Sequence, residues 1–293
     1  MPERTQPVWW RGQRRWVVFG LIATFVICGW ALDLRPSGLL PDNATRWDRA
    51  GQFFSAALTP AFDYRDENVP DDAPHIWVKG LIGLFLTLKY ALGAMSVAVP
   101  LALVFGFLGS AAWWPERPGL VVATALRVLF VTTRFVMSLV RSIHELIWAL
   151  LILSAFGVSP LAGMLALALP FSGTLGKVFS ELIDEEARGA TEALRAIGLG
   201  PIQTFLVGIF PAVLPNLVTY AFYRFECALR SSAVLGFVGI ETIGLYIELS
   251  HEEGYYNEVW TYLYLLLGLI IAVDFWGAAI RKHLHVETEG SRA

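Results

Sequence analysis

The stretch Glu192–Pro211, EALRAIGLGPIQTFLVGIFP, sets a Glu/Ala/Leu/Arg segment, a Gly-Leu-Gly break and a proline between long apolar runs. Upstream, Glu181–Ala196 has a composition that favours helix, and Gly198, Gly200 and Pro201 end one helix and start another. The spacing predicts two short helices joined by a glycine turn, a small polar element inserted into an otherwise oily chain.

The flanking runs decide the class. Trp16–Leu32, Tyr90–Trp114, Leu146–Gly176, Leu199–Tyr223 and Val259–Val273, the last extending past Asp274 to Ile280, mostly reach the roughly 20 residues that cross a bilayer as helix. With 56% hydrophobic and 16% charged residues the chain also lies outside the range of soluble domains, and an all-α integral membrane protein follows. The net charge of −3 gives no basis for a nucleic-acid partner. Cys28 and Cys227 sit in apolar surroundings without metal-ligand spacing, which reads as packing rather than disulfide or metal chemistry. The first apolar run is followed by no small-residue cleavage site, so it reads as an uncleaved span. Asn43-Ala44-Thr45 matches a glycosylation sequon, which matters only in a eukaryotic secretory context.

Arg4, Arg11, Arg14 and Arg15 precede the first run and Arg281 and Lys282 follow the last, which predicts two cytoplasmic termini and an even number of spans. Six fit: 16–33, 81–110, 119–140, 145–176, 202–223 and 259–280. The loop between the first two carries an acidic tail, Asp63–Asp72, suited to the outer face, and Ala44–Leu58 reads as a short interfacial helix. The expected division is an N-terminal helix and outer loop (1–80), a transmembrane domain (81–281) and a cytoplasmic tail (282–293). The polar insert, with Lys177, Arg188 and Arg195 close by, then faces the cytosol.

That insert resembles the cytoplasmic loop of bacterial ABC importer permeases: Glu-Ala-Ala, three residues, Gly, nine residues, Ile-x-Leu-Pro. Glu192, Ala193, Gly198 and Pro211 keep the spacing, while Leu194, Gly208 and Phe210 depart from it with small or apolar residues. From about Leu81 to Arg281 the chain is most similar to permeases of phosphonate importers, in RSIHELIWALLILSAFGVSPLAGMLALALPFSGTLGKVFSELID (Arg141–Asp184) and YRFECALRSSAVLGFVGIETIG (Tyr223–Gly244). Glu241-Thr242-Ile243-Gly244 stands where that family usually has Gly-Gly-Ile-Gly, near its translocation gate.

The resemblance implies a type I importer permease. Its coupling helix, with Glu192, Ala193, Leu194, Gly198 and Pro211, would dock on an ATPase. Two copies of the chain would work with two ATPase subunits and a periplasmic or lipid-anchored solute-binding protein, in the bacterial inner membrane. The implied cargo is phosphonate or a related phosphorus oxyanion. ATP and Mg would bind the partner ATPase and no cofactor this chain. Consistently, Gly173–Lys177 (GTLGK) fails the phosphate-loop pattern, because Ser172 and Val178 occupy positions that need other residues.

Arg127, Arg134 and Arg141 recur every seven residues, so on a helix they share one face and form a ladder about 21 Å long. Either Arg127 and Arg141 reach opposite interfaces and Arg134 pairs with a buried carboxylate, Glu226 or Asp274, or the guanidiniums line an anion path. Glu226 and Arg230, four apart, suit a helix-end ion pair. Arg230, beside a segment broken by Gly236 and Gly239, suits either a cavity lining or tight helix packing. Arg141, Ser142, Arg134, Arg230, Gly236, Gly239 and Glu241 are the candidate pathway residues, with Arg141 expected at the outer end of the third span. His144 and Glu145 have no nucleophile or second carboxylate at useful spacing, which argues against an enzyme. The rival reading is an ion-coupled secondary transporter with Glu226 or Asp274 as proton carrier.

Overall fold

The computed structural model describes residues 9–32, 44–64, 73–115, 119–196 and 198–290; Asn43 and the end of the acidic loop lie outside them. The chain divides into two compact units, 1–58 and 59–293. In the first, α1 (Trp9–Ala31) and α2 (Ala44–Ala56) are helices, the latter where an interfacial helix is expected. Trp16, Phe19, Phe25 and Trp30 of α1 are all exposed, as on a helix that is apolar all round.

The second unit contains α3 (Ile76–Leu108), α4 (Leu120–Ser142), α5 (Glu145–Phe156), α6 (Pro160–Ala196), the single turn α7 (Pro201–Thr204), a π-helical turn (Phe205–Ile209), α8 (Phe210–Val234), a 3₁₀ turn (Leu235–Val238), α9 (Ile243–Glu252) and α10 (Tyr256–Gly290). Among the described residues, five segments are long and apolar enough to cross a membrane: α3, α4, Pro160–Ala187, Pro201–Val238 and Tyr256–Lys282.

Small residues let these helices approach. Gly83, Thr87, Ala91, Ala94, Ala98, Ala102 and Gly106 form a buried stripe on α3. A Cβ on Gly106 would meet the Phe179 Cβ at 2.8 Å, and one on Gly93 would meet Met164, so α3 and α6 run in the same direction. A Cβ on Gly173 would lie 2.9 Å from the Met137 carbonyl oxygen and 3.4 Å from the Arg141 nitrogen, which sets α4 antiparallel to α6 at backbone distance. Gly173–Lys177 is therefore a helix-packing surface rather than a loop, and Lys177 pairs with Glu181 one turn on at 2.9 Å. The Ser232 hydroxyl donates to the Thr87 carbonyl (2.9 Å), while the Phe107 and Phe205 rings meet at 4.9 Å, which fixes α8 antiparallel to α3.

The expected 145–176 span is two elements. Gly157, at φ 75°, ends α5, and the Ser159 hydroxyl accepts from the Ala162 N–H to cap α6, which starts at Pro160. The first residues of α5 lie level with Pro170–Thr174 of α6, so α5 runs back along the first third of α6. The expected pair of short helices around Gly198 is also different: Glu181–Ala196 is the end of the 37-residue α6.

Candidate translocation site

Between α4 and α5 the backbone is extended at Ile143 (φ −96°, ψ 130°) and His144 (φ −63°, ψ 145°). His144 Nδ1 accepts from the Leu146 N–H at 3.2 Å and so starts α5 at the break. The Trp148 indole N–H returns to the Val140 carbonyl (2.9 Å) and holds the two helices together. Gly173, opposite Arg141, lies thirteen residues, about 20 Å of helix, after Pro160 in the 28-residue span Pro160–Ala187. Arg141 is thus beside the middle of a membrane-length helix. As expected, it stands in the last turn of α4, a helix long and apolar enough to cross a membrane, and the chain then continues into α5.

A cavity of about 290 Å³ opens at this break, lined from four helices by Arg141, Ser142, His144, Glu145, Thr174, Arg224 and Ser231 among others. Arg141 and Ser142 are exposed; Ser142 donates to the Leu139 carbonyl within its own helix (2.8 Å). The Arg224 guanidinium lies 5.9 Å from the Phe171 ring centre and 5.8 Å from that of Tyr220, and its Nε is buried without a hydrogen-bond partner. The Ser231 hydroxyl donates to Glu145 at 2.8 Å. Two guanidiniums, several hydroxyls and one carboxylate therefore face a shared space within otherwise apolar helices, where charge is tolerated only against a partner or a cavity.

The other candidates are elsewhere. Arg134 donates from Nε to the Gly109 carbonyl (3.1 Å) and from Nη2 to Asp184 (3.4 Å), with its Cζ 4.5 Å from the Phe130 ring centre. Its carboxylate partner is Asp184 rather than Glu226 or Asp274; these two face Arg281, at 2.9 and 3.9 Å. Arg230 is exposed, with Nη2 3.9 Å from the Cys227 sulfur, so its helix-end partner is not Glu226. Gly236 and Gly244 interlock: a Cβ on either would run into backbone of the other segment. Gly239, at φ 82°, turns the chain into α9, and the Thr242 hydroxyl donates to the Ala233 carbonyl (3.2 Å).

Glu241 belongs to a second cavity, of about 490 Å³, with Tyr64, Lys79, Tyr246, Ser250, Glu253 and Glu258. The Tyr246 hydroxyl donates to Glu241 (3.0 Å), and Lys79 Nζ lies 5.1 Å from the Tyr246 ring centre and 5.5 Å from that of Tyr64. Burial, then the Glu241 hydrogen bond and charge, push the Tyr246 hydroxyl up to about 12.

In the polar insert, Gly198 has φ 89°, and the Leu199 N–H reaches the Leu194 carbonyl at 3.4 Å, a left-handed helix end. Gly200 donates to the Gln203 side chain (3.1 Å) and Pro201 opens α7. Leu194 packs against Gly208, which explains both departures from the loop pattern: a side chain at 208 would displace the leucine. Glu192 and Ala193 lie in the last turns of α6, with side chains outside the described residues. Pro211 sits in the first turn of α8.

Several membrane-length apolar helices around a polar break fit a subunit embedded in a membrane. The family of binding-protein-dependent transport system inner membrane components matches residues 118–286, and the chain belongs to it. It is a multi-pass inner-membrane permease subunit, and as part of a binding-protein-dependent ABC system its partners are an ATPase and a solute-binding protein. The chain is 31% identical over 278 residues to the phosphite transport system permease protein PtxC of Stutzerimonas stutzeri, covering 94% of this chain and 90% of that protein. It is 28% identical over 259 residues to the phosphate-import permease protein PhnE of Mycolicibacterium smegmatis, covering 88% of this chain and 44% of that longer protein. The fold matches the MetNI methionine ABC transporter in an inward-facing conformation, with TM-score 0.58 and 23% identity, over 70% of this chain and 95% of that one.

Proposed function

We propose that this chain carries a phosphorus oxyanion, of the phosphite, phosphonate or phosphate class, from a solute-binding protein into the cytosol. The observation that carries this reading is its similarity, along nearly its whole length, to a phosphite permease. The arginine-lined cavity supports it, since guanidinium forks match oxyanions. The chain works as a homodimer with two ATPase subunits, which bind ATP and Mg, and no cofactor binds the chain itself. α1 supplies the sixth crossing, which leaves both termini cytoplasmic. The stretch from Glu192 to Pro211, which holds the end of α6, the α6–α7 turn and the start of α8, is the coupling element. Arg141 and Ser142 line the path, while Arg134 braces the helices beside it; Arg230, Gly236, Gly239 and Glu241 shape its outer side.

The test is reconstitution of the chain with its ATPase and binding protein in proteoliposomes, offered labelled phosphite, methylphosphonate, phosphate and, as control, methionine. ATP-dependent and binding-protein-dependent accumulation of at least one phosphorus oxyanion is expected. Accumulation of none of them, or uptake by the chain alone that an uncoupler abolishes, overturns the reading.

A further inference from the structure

We propose that the α4–α5 break is an internal oxyanion site, where Arg141 and Arg224 hold the tetrahedral anion in mid-passage and the Glu145 carboxylate, held by Ser231, forces its release. This rests on the reading of the chain as an oxyanion importer and adds to it a resting point inside the membrane.

The argument starts from Arg224. A guanidinium within an apolar span is costly unless it is paired. Arg134 meets Asp184, and Arg281 meets Glu226, both through side-chain carboxylates. Arg224 instead has two aromatic rings on its flanks and a buried Nε without a hydrogen-bond acceptor. The rings orient the fork and the acceptor is missing, as expected of a group whose partner arrives and leaves.

Arg141 faces the same cavity from the last turn of α4, while the Ser142 and Thr174 hydroxyls beside it donate to the Leu139 and Pro170 carbonyls of their own helices (2.8 and 3.0 Å). α5, twelve residues long, turns its N-terminal, electropositive end toward the same space. The two guanidiniums and this helix end favour an anion, and Glu145 opposes it. Its carboxylate, fixed by the Ser231 hydroxyl at 2.8 Å, repels an incoming oxyanion at close range in a medium of low dielectric. Two cations and one anion make a site that binds, but not so tightly that the substrate stays. A step in a transport path needs that balance, because a strongly held anion would block the turnover that the ATPase drives.

The two kinds of charge predict effects of opposite sign. The probes are labelled phosphate and phosphite, measured both as equilibrium binding to the assembled transporter in lipid nanodiscs without binding protein and as uptake into proteoliposomes. Arg141→Gln and Arg224→Gln should each weaken binding by about ten- to a hundredfold, the range for a hydrogen bond to a charged group. Uptake should fall with binding, while ATP hydrolysis stimulated by the binding protein stays within about twofold of wild type, since the α6–α7 turn is untouched. Glu145→Gln should tighten binding and slow uptake at saturating substrate. Arg224→Lys, which keeps charge but not the fork, should fall between wild type and Arg224→Gln, and it replaces the glutamine variant if that one fails to assemble. Arg127→Gln, on the exposed face of α4, should match wild type.

Wild-type binding and uptake in the Arg141 and Arg224 variants, or weakened binding in Glu145→Gln, overturns the site and leaves the importer reading standing. A wild-type transporter that accumulates no phosphorus oxyanion overturns the importer reading itself.

Discussion

The Asp184 carboxylate gathers three donors from two other segments: the Ser110 hydroxyl at 2.6 Å, the Ala111 N–H at 3.0 Å and the Arg134 guanidinium at 3.4 Å. Arg134 also donates to the Gly109 carbonyl, so this one carboxylate ties the end of α3 and the middle of α4 to α6. Because both side chains are partly exposed (41% for Arg134, 29% for Asp184), the pair falls well short of the cost of breaking a fully buried ion pair. Asp184→Asn should lower stability by about 1–2 kcal/mol through the weakened charge-assisted bonds. Thermal denaturation of the purified transporter in detergent checks this: an unchanged midpoint would make the cluster incidental.

Gly198 at φ 89° requires a left-handed backbone that costs other residues about 1–3 kcal/mol, β-branched ones most. Nothing crowds its Cα, so the penalty is conformational rather than steric. Asparagine tolerates this region best, so Gly198→Asn, Gly198→Ala and Gly198→Val should form a series of increasing defect, with uptake roughly tenfold down in the last. Membrane insertion should be normal throughout, with ATP hydrolysis uncoupled from uptake. Equal uptake by all three variants would show that the turn does not need its geometry.

The three glycines around the 3₁₀ turn separate two kinds of constraint. A Cβ on Gly244 would collide with the Ala233 carbonyl oxygen, and one on Gly236 with the backbone of Gly244 and Leu245; Gly239 has a positive φ but open space. Gly236→Ala and Gly244→Ala should therefore cost more than about 3 kcal/mol, since backbone cannot move aside as a side chain does. Gly239→Ala should cost less, about 1–2 kcal/mol, the strain of a left-handed backbone without a clash. The yield of folded protein on size-exclusion chromatography ranks them, and a Gly239→Ala defect as large as the other two would contradict this assignment.

The cavity that holds Glu241 gives a pH dependence. The Tyr246 hydroxyl donates to Glu241 and is pushed to about 12, above its ordinary value of 10.0. A proton held more tightly in the folded state stabilises it fully below pH 10 and is lost as pH rises through 12. The stability difference between wild type and Tyr246→Phe should thus be constant between pH 7 and about 9, and shrink between about 10 and 12. Denaturation midpoints of the two proteins across that range provide the check; a gap that narrows below pH 9 would assign the titration to another group.

Much of this architecture is legible in the sequence, because apolar runs of membrane length and a glycine-broken polar insert are periodic or punctuated signals. The α5–α6 turn was legible as well: Gly157, Ser159 and Pro160 supply a helix end, a cap and a first-turn proline in four residues. Its apolar setting hides it, since hydropathy sees no interruption between Leu146 and Gly176. The break before His144 left less trace, because a histidine cap is not a usual start signal. The seven-residue arginine spacing places three side chains on one face and Arg141 at a span end, but cannot say that a second helix starts at Glu145. Asp184 as the partner of Arg134, and Arg224 as a cavity residue, depend on pairings 50 or more positions apart, which no local pattern encodes.

Glu226 and Arg281 form the most enclosed ion pair among the described residues: Oε1 and Nη1 are 2.9 Å apart, with side-chain exposures of 12% and 25%, and Asp274 stands 3.9 Å from the same guanidinium. Gly277 makes room for it, since a Cβ there would lie 2.7 Å from the Glu226 carboxylate. Arg281→Gln alone leaves a shielded carboxylate without its partner and should destabilise by about 3 kcal/mol, the lower end for breaking a buried pair. Glu226→Gln with Arg281→Gln removes both charges and should recover most of that loss. The same double variant separates a bracing pair from a proton carrier. In an ATP-driven importer it should sustain binding-protein-dependent uptake within about threefold of wild type, because the chemistry that powers transport lies on another subunit. In an ion-coupled transporter the loss of Glu226 would abolish uptake, and that result, with folded protein at wild-type yield, would assign this carboxylate a part in transport itself.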